Sequence, residues 1–394
     1  SKPYAAAKAT AAKQTAAPLP VVLAFSHSYF LGGGEISFFE LIRSLDRSRF
    51  APAAVAPEEG EVAVRLRKWS IPVQTCPFPR PRSAQPLRSV SSVFRLVAIV
   101  RASKSRVIHA NGFRACLYAC AAGLIAGVPV IWHVRETIRD RVAIDGALGW
   151  LSRCIICVSH GVAEKRFARF GPRIREKIEV VHNGVDPAVF RPRKTARRAV
   201  RNALHIRSEV LFGVIGSRIP LKGHDFFLRG LAEALFREPE LPIKVLMVGR
   251  PADAGYDRLL RDFVAHSHLK GRVLFLPFRR RIAEILCALD VFVMPSRREG
   301  FSRALLEAMS TELPVIATRL PEIQEAAADS RHALFVDSED VASMARAIQR
   351  LTKDPLLRRT MGSRNRDQIL FRFSLERHAR AVGRIYQRLA GADR

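Results

Sequence analysis

The chain has 394 residues, of which 48% are hydrophobic and 26% are charged, so it can build about two globular domains and is neither a disordered nor a fibrous protein. Lys and Arg together number 65 against 36 Asp and Glu, which gives a formal net charge of +29, and 53 of the 65 are Arg. A field of this sign attracts nucleic acid, acidic membrane surfaces or phosphorylated substrates, although a compositional bias that places Arg on exposed faces would give the same excess.

Residues 1–20 are rich in Ala and Lys without a continuous apolar stretch, so we expect a disordered tail with no secretory signal. Six cysteines in a chain of this length do not form a disulfide scaffold, and they suit a reducing compartment such as the cytoplasm. Cys154 and Cys157 have the spacing of a metal or redox pair. They lack a second such pair and lie in an apolar strand pattern, which favours buried thiols.

One stretch is long enough to mimic a membrane span. Residues 115–132 are 18 residues without a charge, at the lower limit for crossing a bilayer. Gly123, Gly127 and Pro129 interrupt the stretch, so we predict a buried helix, a loop and a buried strand instead.

Short β-branched segments alternate with longer helical patterns along the rest of the chain. The first six predicted strands are Pro20–Ser26, Phe50–Ala56, Val107–Ala110, Val130–Val134, Ile155–Ser159 and Ile178–His182. A basic, turn-rich linker is predicted over residues 183–201, and six further strands follow it: Val210–Gly216, Ile243–Gly249, Val273–Leu276, Val291–Pro295, Val315–Thr318 and Ala333–Val336. Two such series indicate an α/β protein of two doubly wound, Rossmann-like domains. Ligands bind beyond the carboxyl ends of such strands, so the domains would face each other across a cleft.

Two loops at predicted strand ends are suited to phosphate binding. Residues 32–35 (Gly-Gly-Gly-Glu) precede an apolar helical pattern, where the backbone can approach a phosphate and the helix offers free N–H groups, although the segment could also be a flexible loop. In the second series, Gly216 and Ser217 are followed by Arg218 and Lys222, two cations that could clamp a diphosphate. A solvated loop is the alternative in a chain this rich in Arg.

The strongest signal is residues 296–309, Ser-Arg-Arg-Glu-Gly-Phe-Ser-Arg-Ala-Leu-Leu-Glu-Ala-Met, which follow a predicted strand. A helix is predicted to begin near Ser302, with Glu299 just before it and Glu307 about one and a half turns into it. The first N–H groups of a helix have no partner within it, so this segment offers two carboxylates for sugar hydroxyls and a helix end for phosphate. Two exposed Glu on an amphipathic helix are the alternative, but a separation of eight residues is not a same-face spacing.

These segments resemble glycosyltransferase family 4. Glu299 and Glu307 with their flanking residues resemble the paired glutamates of that family, and residues 216–223 and 182–186 resemble two further segments of it. Residues 32–35 look like the glycine loop of the family, and residues 132–136 (Trp-His-Val-Arg-Glu) look like its active-site histidine strand. The matches follow the order of the family from about residue 21 to residue 385.

The resemblance implies a GT-B fold. An acceptor-binding domain would span residues 21–190, a nucleotide-sugar donor domain residues 191–372, and a final helix, residues 373–394, would cross back to the first domain. It also implies transfer with net retention at the anomeric carbon, with no required metal or other cofactor.

The resemblance further assigns roles to single residues. Those assigned to catalysis are His133, Arg218, Lys222 and Glu299. Those assigned to donor binding are Gly33, Gly34, Gly216, Arg218, Lys222, Glu299, Phe301, Ser302 and Glu307. Arg218 and Lys222 would neutralise the diphosphate, Glu307 would hold the ribose hydroxyls, and His133 would contact the donor sugar near the reacting centre.

The acceptor and partners are inferred from charge. Basic clusters at residues 80–106 and 135–141, with apolar residues interleaved around Arg95, could lie on an anionic bilayer, although a packed helix with solvated Arg explains them equally well. We expect a cytoplasmic enzyme, peripheral on the inner face of the plasma membrane, with a lipid-linked or lipopolysaccharide-type cell-envelope acceptor. The alternatives are a polyanion- or nucleic-acid-binding protein on a GT-B scaffold, or a GT-B epimerase or phosphorylase. An aromatic content of 8% and the lack of a recognition motif argue against nucleic acid.

Overall fold

The computed structural model describes residues 17–29, 32–80, 86–136, 142–277 and 281–391. Most of the expected tail, and the predicted basic residues Arg82, Arg139 and Arg141, lie outside these ranges. Within them the chain forms two parallel sheets with helices on both faces, which confirms the predicted α/β fold of two Rossmann-like domains.

The first sheet has seven parallel strands in the order β3-β2-β1-β4-β5-β6-β7. Its strands are β1 Leu19–Phe25, β2 Phe50–Ala56, β3 Val73–Thr75, β4 Val107–Asn111, β5 Val130–Val134, β6 Cys154–Cys157 and β7 Ile178–Val180. Its helices are α1 Gly33–Ser44, α2 Glu61–Arg67, α3 Pro86–Ala102, α4 Phe113–Ala126, α5 Val142–Leu151, α6 His160–Phe167 and α7 Pro172–Arg175.

The second sheet has six parallel strands in the order β10-β9-β8-β11-β12-β13. Its strands are β8 Val210–Ile215, β9 Ile243–Val248, β10 Val273–Leu276, β11 Val291–Met294, β12 Val315–Thr318 and β13 Ala333–Val336. The helices are α8 Lys194–Ala203, α9 His224–Arg237, α10 Ala254–Ala265, α11 Ile282–Ala288, α12 Arg303–Ser310, α13 Pro321–Gln324, α14 Val341–Lys353, α15 Pro355–Arg372 and α16 Leu375–Gly391, and Pro220–Lys222 form a 3-10 turn.

The central strands of both sheets are buried on both faces, which is why they read as continuous apolar segments in the sequence. Val21 to Phe25 in β1 and Val291 to Val293 in β11 have no exposed surface. Parallel strands covered by helices on either side require this composition, because neither face of the sheet meets water. The carboxyl ends of these strands therefore carry the polar loops.

The predicted linker was wrong from Lys194 onwards, because residues 194–203 form helix α8. Two of its arginines pair with one carboxylate: Arg197 Nη2 lies 2.5 Å from Asp290 Oδ1, and Arg201 Nη1 lies 2.9 Å from Asp290 Oδ2. Asp290 immediately precedes β11, so this part of the basic stretch fastens α8 to the second sheet. Asp290 is about 90 residues away in the sequence, so the local pattern around residues 194–203 did not indicate this ion pair.

The last helix returns to the first domain. Val382, Ile385 and Tyr386 of α16 belong to the apolar cluster that contains Val21 and Leu23 of β1. The domains also meet at α6, whose first N–H groups, those of His160 and Gly161, donate to the Glu325 carboxylate at 2.8 and 2.7 Å. A carboxylate at a helix N-terminus is stabilised by the helix dipole, so this contact ties the domains together.

The apolar and cysteine-containing segments lie in the interior. All six cysteines are buried and free, and burial raises the pKa of Cys157 to about 12. Residues 115–132 form most of α4, a turn and the start of β5, as predicted. Among the residues that the structure describes, none of the helices could cross a membrane, and no group of three His, Cys, Asp or Glu is placed to hold a metal ion.

Gly223 supplies the first prediction. Gly223 and Gly127 both have φ in the left-handed region, at +64° and +67°, but a methyl group on Gly223 would lie 1.9 Å from the Pro295 carbonyl oxygen, whereas one on Gly127 would meet nothing within 4 Å. We expect Gly127→Ala to lower the free energy of unfolding by about 1–2 kcal/mol through backbone strain alone, and Gly223→Ala to lower it by clearly more. Urea unfolding of the two variants checks this. Equal losses would contradict the tight approach of Gly223 to Pro295.

Candidate functional site

A cavity of about 720 Å³ lies between the two domains. On one side it reaches the carboxyl ends of the adjacent strands β9, β8 and β11, where Gly249, Gly216 and Pro295 line it. On the other side it meets the start of α1 at Gly33 and Gly34. Both positions are points where the strand order reverses, which is where doubly wound domains bind ligands.

Eight of the ten residues in the predicted site line this cavity. They are Gly33, Gly34, Gly216, Lys222, Glu299, Phe301, Ser302 and Glu307. The described residues that line it do not include Arg218 or His133.

Glu299 and Lys222 form an ion pair at the cavity. Lys222 Nζ lies 2.7 Å from Glu299 Oε1, and the hydroxyl of Ser296 donates to the same oxygen at 2.7 Å. Glu299 is 8% exposed, whereas the Lys222 side chain is 31% exposed. The carboxylate is therefore held in one orientation, and the ammonium group remains accessible from the cavity.

Glu307 pairs with a residue that the sequence analysis had not selected. Arg303 Nε lies 2.6 Å from Glu307 Oε1, one helical turn away, and both side chains are about nine-tenths buried. Burial raises the pKa of Glu307, and the positive charge of Arg303 opposes that shift. Arg303 Nη1 is buried without a partner in the described part of the chain, so this guanidinium retains a donor that no protein group uses.

The start of α12 completes this wall of the cavity. Ser302 is the N-cap of the helix, and its hydroxyl accepts a hydrogen bond from the N–H of Leu305 at 3.4 Å. The N–H groups of Arg303 and Ala304, in the first turn, have no acceptor within the helix. A helix N-terminus beside Lys222 and Arg303 is an electropositive surface suited to an anion.

Arg218 lies behind the wall of the cavity rather than on its surface. Its side chain is 2% exposed, and its guanidinium pairs with Asp257 and donates to the Gly249 carbonyl at 2.8 Å. Asp257 belongs to α10, 39 residues further along the chain. Arg218 therefore fastens the loop after β8 to α10 and the loop after β9.

His133 lies beneath the cavity rather than on its surface. The residue has no exposed surface, and Arg135 Nη2 lies 3.4 Å from His133 Nδ1. Arg135 itself lines the cavity and donates to Asn111 at 2.5 Å and to Asn183 at 2.7 Å. Among the described residues at this strand end, Arg135 and not His133 lines the cavity.

Arg135 is a partly buried cation that lines the cavity between the domains, and its prediction as part of a surface cluster was wrong. Burial lowers the pKa of Arg135 to about 9, with Glu35 opposing and Arg303 reinforcing the shift. A methyl group on Gly34 would lie 3.0 Å from Arg135 Cδ, and one on Gly300 would lie 2.3 Å from the Arg135 carbonyl oxygen. Glycine at both positions leaves space for Arg135, and the Gly–Phe step after Glu299 was the signal that could have pointed to such a close approach.

The comparisons with known proteins agree with this geometry. Residues 31–189 match the family profile described as Glycosyltransferase Family 4, and residues 209–354 match Glycosyl transferases group 1. The D-inositol 3-phosphate glycosyltransferase of Nocardioides sp. is 31% identical over 375 residues, which cover 88% of this chain and 78% of that protein. The chain belongs to glycosyltransferase family 4.

Other relatives match over shorter or more divergent stretches. The D-inositol 3-phosphate glycosyltransferase of Corynebacterium urealyticum is 33% identical over 55% of this chain, and the matched region spans 52% of that relative, about half its length. A UDP-Gal:alpha-D-GlcNAc-diphosphoundecaprenol alpha-1,3-galactosyltransferase of Escherichia coli is 25% identical over 77% of this chain and 81% of its own length.

Solved structures establish the fold. The Anabaena protein Alr3699/HepE, crystallised in complex with UDP and glucose, superposes with a TM-score of 0.81 at 19% identity, covering 93% of this chain and 99% of its own. A sucrose-phosphate synthase from Thermosynechococcus elongatus superposes with a TM-score of 0.78 at 20% identity, covering 95% of this chain and 100% of its own. These neighbours confirm the GT-B fold.

Four buried histidines predict that the family 4 chain loses stability in acid. Burial lowers the pKa of His109 and His133 well below the ordinary value, and lowers those of His224 and His378 to about 4 and about 3. Because these folded pKa values lie below those of the unfolded chain, only the unfolded chain gains protons as the pH falls below about 6.5. Stability is therefore complete above that pH, and it falls below it by about 1.4 kcal/mol per pH unit for each neutral histidine.

Urea unfolding between pH 7.5 and 5.5 measures this slope. His378→Gln should reduce the slope by about one histidine's share, because glutamine keeps a donor for the His182 carbonyl that His378 Nδ1 contacts at 2.7 Å. His266→Gln, at an exposed position, is the matched control and should leave the slope unchanged. The same slope in the wild type and in His378→Gln would refute the neutral, buried state of His378.

Proposed function

We propose that this protein is a retaining glycosyltransferase that moves a sugar from a nucleotide-diphosphate sugar to an acceptor. The observation that carries the proposal is the interdomain cavity, where Lys222, Arg303 and the start of α12 lie beside Glu299 and Glu307. Its volume of about 720 Å³ falls within the range of about 300–1,000 Å³ that is usual for ligand sites. One wall offers positive charge for a diphosphate, and the other groups offer carboxylates for hydroxyls.

In this proposal the protein acts chiefly on the leaving group. A nucleoside diphosphate departs as an anion while positive charge develops on the sugar, and preorganised cations and N–H dipoles lower the barrier to that step. Lys222 and Arg303 would share the diphosphate charge with the helix N-terminus, and Arg218 would act indirectly by holding the loop after β8. Because these groups supply the positive charge, we propose that no metal is required.

The two glutamates would orient the donor. Glu307, buried and paired with Arg303, would accept hydrogen bonds from the ribose hydroxyls, and Glu299, fixed by Ser296 and Lys222, would meet hydroxyls of the sugar. Uridine nucleotides are the first candidates for the donor, because the Anabaena neighbour was crystallised with UDP and glucose.

For the acceptor we propose a lipid-linked or lipopolysaccharide-type glycan at the inner face of the plasma membrane. The support is helix α3, whose outer side exposes Leu87, Val90 and Phe94 at 85%, 55% and 60% beside the exposed Arg95 and Arg101. Apolar residues flanked by Arg suit an anionic bilayer. The Escherichia coli relative is named for a diphosphoundecaprenol acceptor, whereas the Nocardioides relative is named for D-inositol 3-phosphate, so product analysis should include both chemistries.

Two variants and two ligands test the donor site. We expect one of the nucleotides UDP, GDP, ADP and dTDP, with UDP as the first candidate, to raise the unfolding temperature of the protein. A ligand at 100 times its Kd stabilises the folded state by about 2.7 kcal/mol. Lys222→Ala should abolish stabilisation by both the nucleotide and inorganic pyrophosphate. Glu307→Gln should weaken the effect of the nucleotide only, because pyrophosphate has no ribose.

The matched control for this experiment is Lys244→Ala, in the same domain but at the opposite end of β9. It should leave both stabilisations intact. With a sugar nucleotide that the wild-type enzyme uses as a donor, Lys222→Ala should lower kcat/KM by about 10²–10³-fold. Equal losses of nucleotide and pyrophosphate binding in Glu307→Gln would exclude the ribose assignment, and turnover that needs phosphate instead of an acceptor would indicate a phosphorylase.

Vesicle binding tests the proposed membrane face. The protein should bind vesicles that contain phosphatidylglycerol better than vesicles of phosphatidylcholine alone, and this binding should weaken as salt is raised from 0.05 M to 0.5 M. Phe94→Ser should weaken binding by about 10- to 150-fold, because it removes roughly 1.5–3 kcal/mol of apolar burial. Phe236→Ser, which is 76% exposed on the second domain, is the control and should have no effect. Salt-independent binding, or equal effects of the two variants, would remove the support for this surface.

A further inference from the structure

A chain of buried ring contacts joins the last helix to His133. The hydroxyl of Tyr386 in α16 lies 2.6 Å from His109 Nδ1, and His109 Nε2 lies 3.0 Å from His133 Nδ1. Tyr386, His109 and His133 have no exposed surface. The described part of the chain provides no partner for the remaining ring nitrogen, His133 Nε2.

Two observations fix the direction of this chain of hydrogen bonds. Arg135 Nη2 lies 3.4 Å from His133 Nδ1, a long contact, and a guanidinium can only donate, so this contact favours Nδ1 as an acceptor without fixing it alone. With Nδ1 as the acceptor, His109 Nε2 donates to it and His109 Nδ1 accepts from Tyr386. The reverse direction would leave the Tyr386 hydroxyl proton buried without an acceptor, because His109 is its hydrogen-bond partner in the described structure.

We propose that Tyr386 and His109 are positioning residues that hold His133 in the tautomer whose Nε2 carries the proton, so that His133 serves substrate as a hydrogen-bond donor and not as a proton acceptor. Burial keeps the pKa of both histidines well below the ordinary value, so each ring is neutral and carries one ring proton. In neutral imidazole the bond made by one nitrogen decides which nitrogen bears the proton. The kinetic part of this inference rests on the proposed transferase function.

The tautomer can be measured without substrate. In protein labelled with ¹⁵N-histidine, the ring nitrogen shifts should report His133 as protonated on Nε2, with the signals assigned by their loss in His133→Gln. Tyr386→Phe should convert His133 to a mixture of both tautomers. Protonation of His133 on Nδ1, a charged His133, or an unchanged tautomer in Tyr386→Phe would each overturn the proposal.

Kinetic measurements test whether the hydrogen-bonded chain of Tyr386, His109 and His133 affects turnover. Tyr386→Phe should lower kcat about tenfold and change the KM for the donor less than twofold. Loss of a residue that orients a functional histidine typically costs about 10–100-fold, and the expected effect lies at the lower end of that range. In a His133→Ala background the same substitution should have no further effect, because Tyr386 acts through His133.

Tyr118→Phe is the matched control. Tyr118 is also a buried tyrosine of the first domain, and its hydroxyl donates to the Pro79 carbonyl at 2.8 Å, remote from the described lining of the cavity. Both phenylalanine variants should lose similar stability, but only Tyr386→Phe should lose kcat. Additive effects of Tyr386→Phe and His133→Ala in an active enzyme would refute the positioning role while leaving the transferase function standing. Absence of turnover with every donor would refute the function, and the tautomer measurement would still test the proposal.

Discussion

The partly buried guanidinium of Arg135 is the group on which the site depends. Its hydrogen bonds go to the neutral amides of Asn111 and Asn183, and of the charged groups that act on it Glu35 opposes the lowering of its pKa while Arg303 reinforces it. A buried charge bonded only to neutral groups costs desolvation free energy, and an anion that enters the cavity recovers part of it. The same residue lines the cavity and contacts His133 Nδ1, so anion binding and the hydrogen bonding of His133 are physically coupled at one side chain.

Glycines determine how closely the two domains can approach at this point. Gly34 and Gly300 both lie against Arg135, and a methyl group on Gly161 would lie 2.8 Å from the Glu322 side chain. These contacts bring the start of α1 and the loop before α12 to one cavity, so two helix N-termini meet there. A single helix N-terminus binds many anions and does not by itself select one class of ligand. Together with Lys222 and Arg303 the two helix ends define an electropositive wall with carboxylates beside it, which suits a sugar nucleotide better than a simple anion.

The sequence predicted much of this architecture because it is encoded locally. Every predicted strand appears, and the residues at strand ends reach one cavity, since parallel strands bring their carboxyl ends to one edge. The missed strand Val73–Thr75 is a three-residue edge strand with too few residues to show a period. The ion pair of Arg218 with Asp257 was not predicted because Asp257 lies on α10, 39 residues further along the chain, and Arg135 was misplaced because nothing in a sequence distinguishes a buried arginine from an exposed one.

The excess of arginine also has a structural use that weakens the argument from net charge to a polyanionic partner. Arg101, Arg201, Arg358 and Arg366 each donate to carbonyls at the last turn of a helix, those of α4, α11, α14 and α12. Carbonyls at a helix C-terminus lack partners within the helix and carry negative charge, and a planar fork of donors satisfies them better than an ammonium group can. Guanidinium groups used in this way have donors committed inside the fold, so binding specificity for an anion follows from burial at the cavity and not from the number of basic residues.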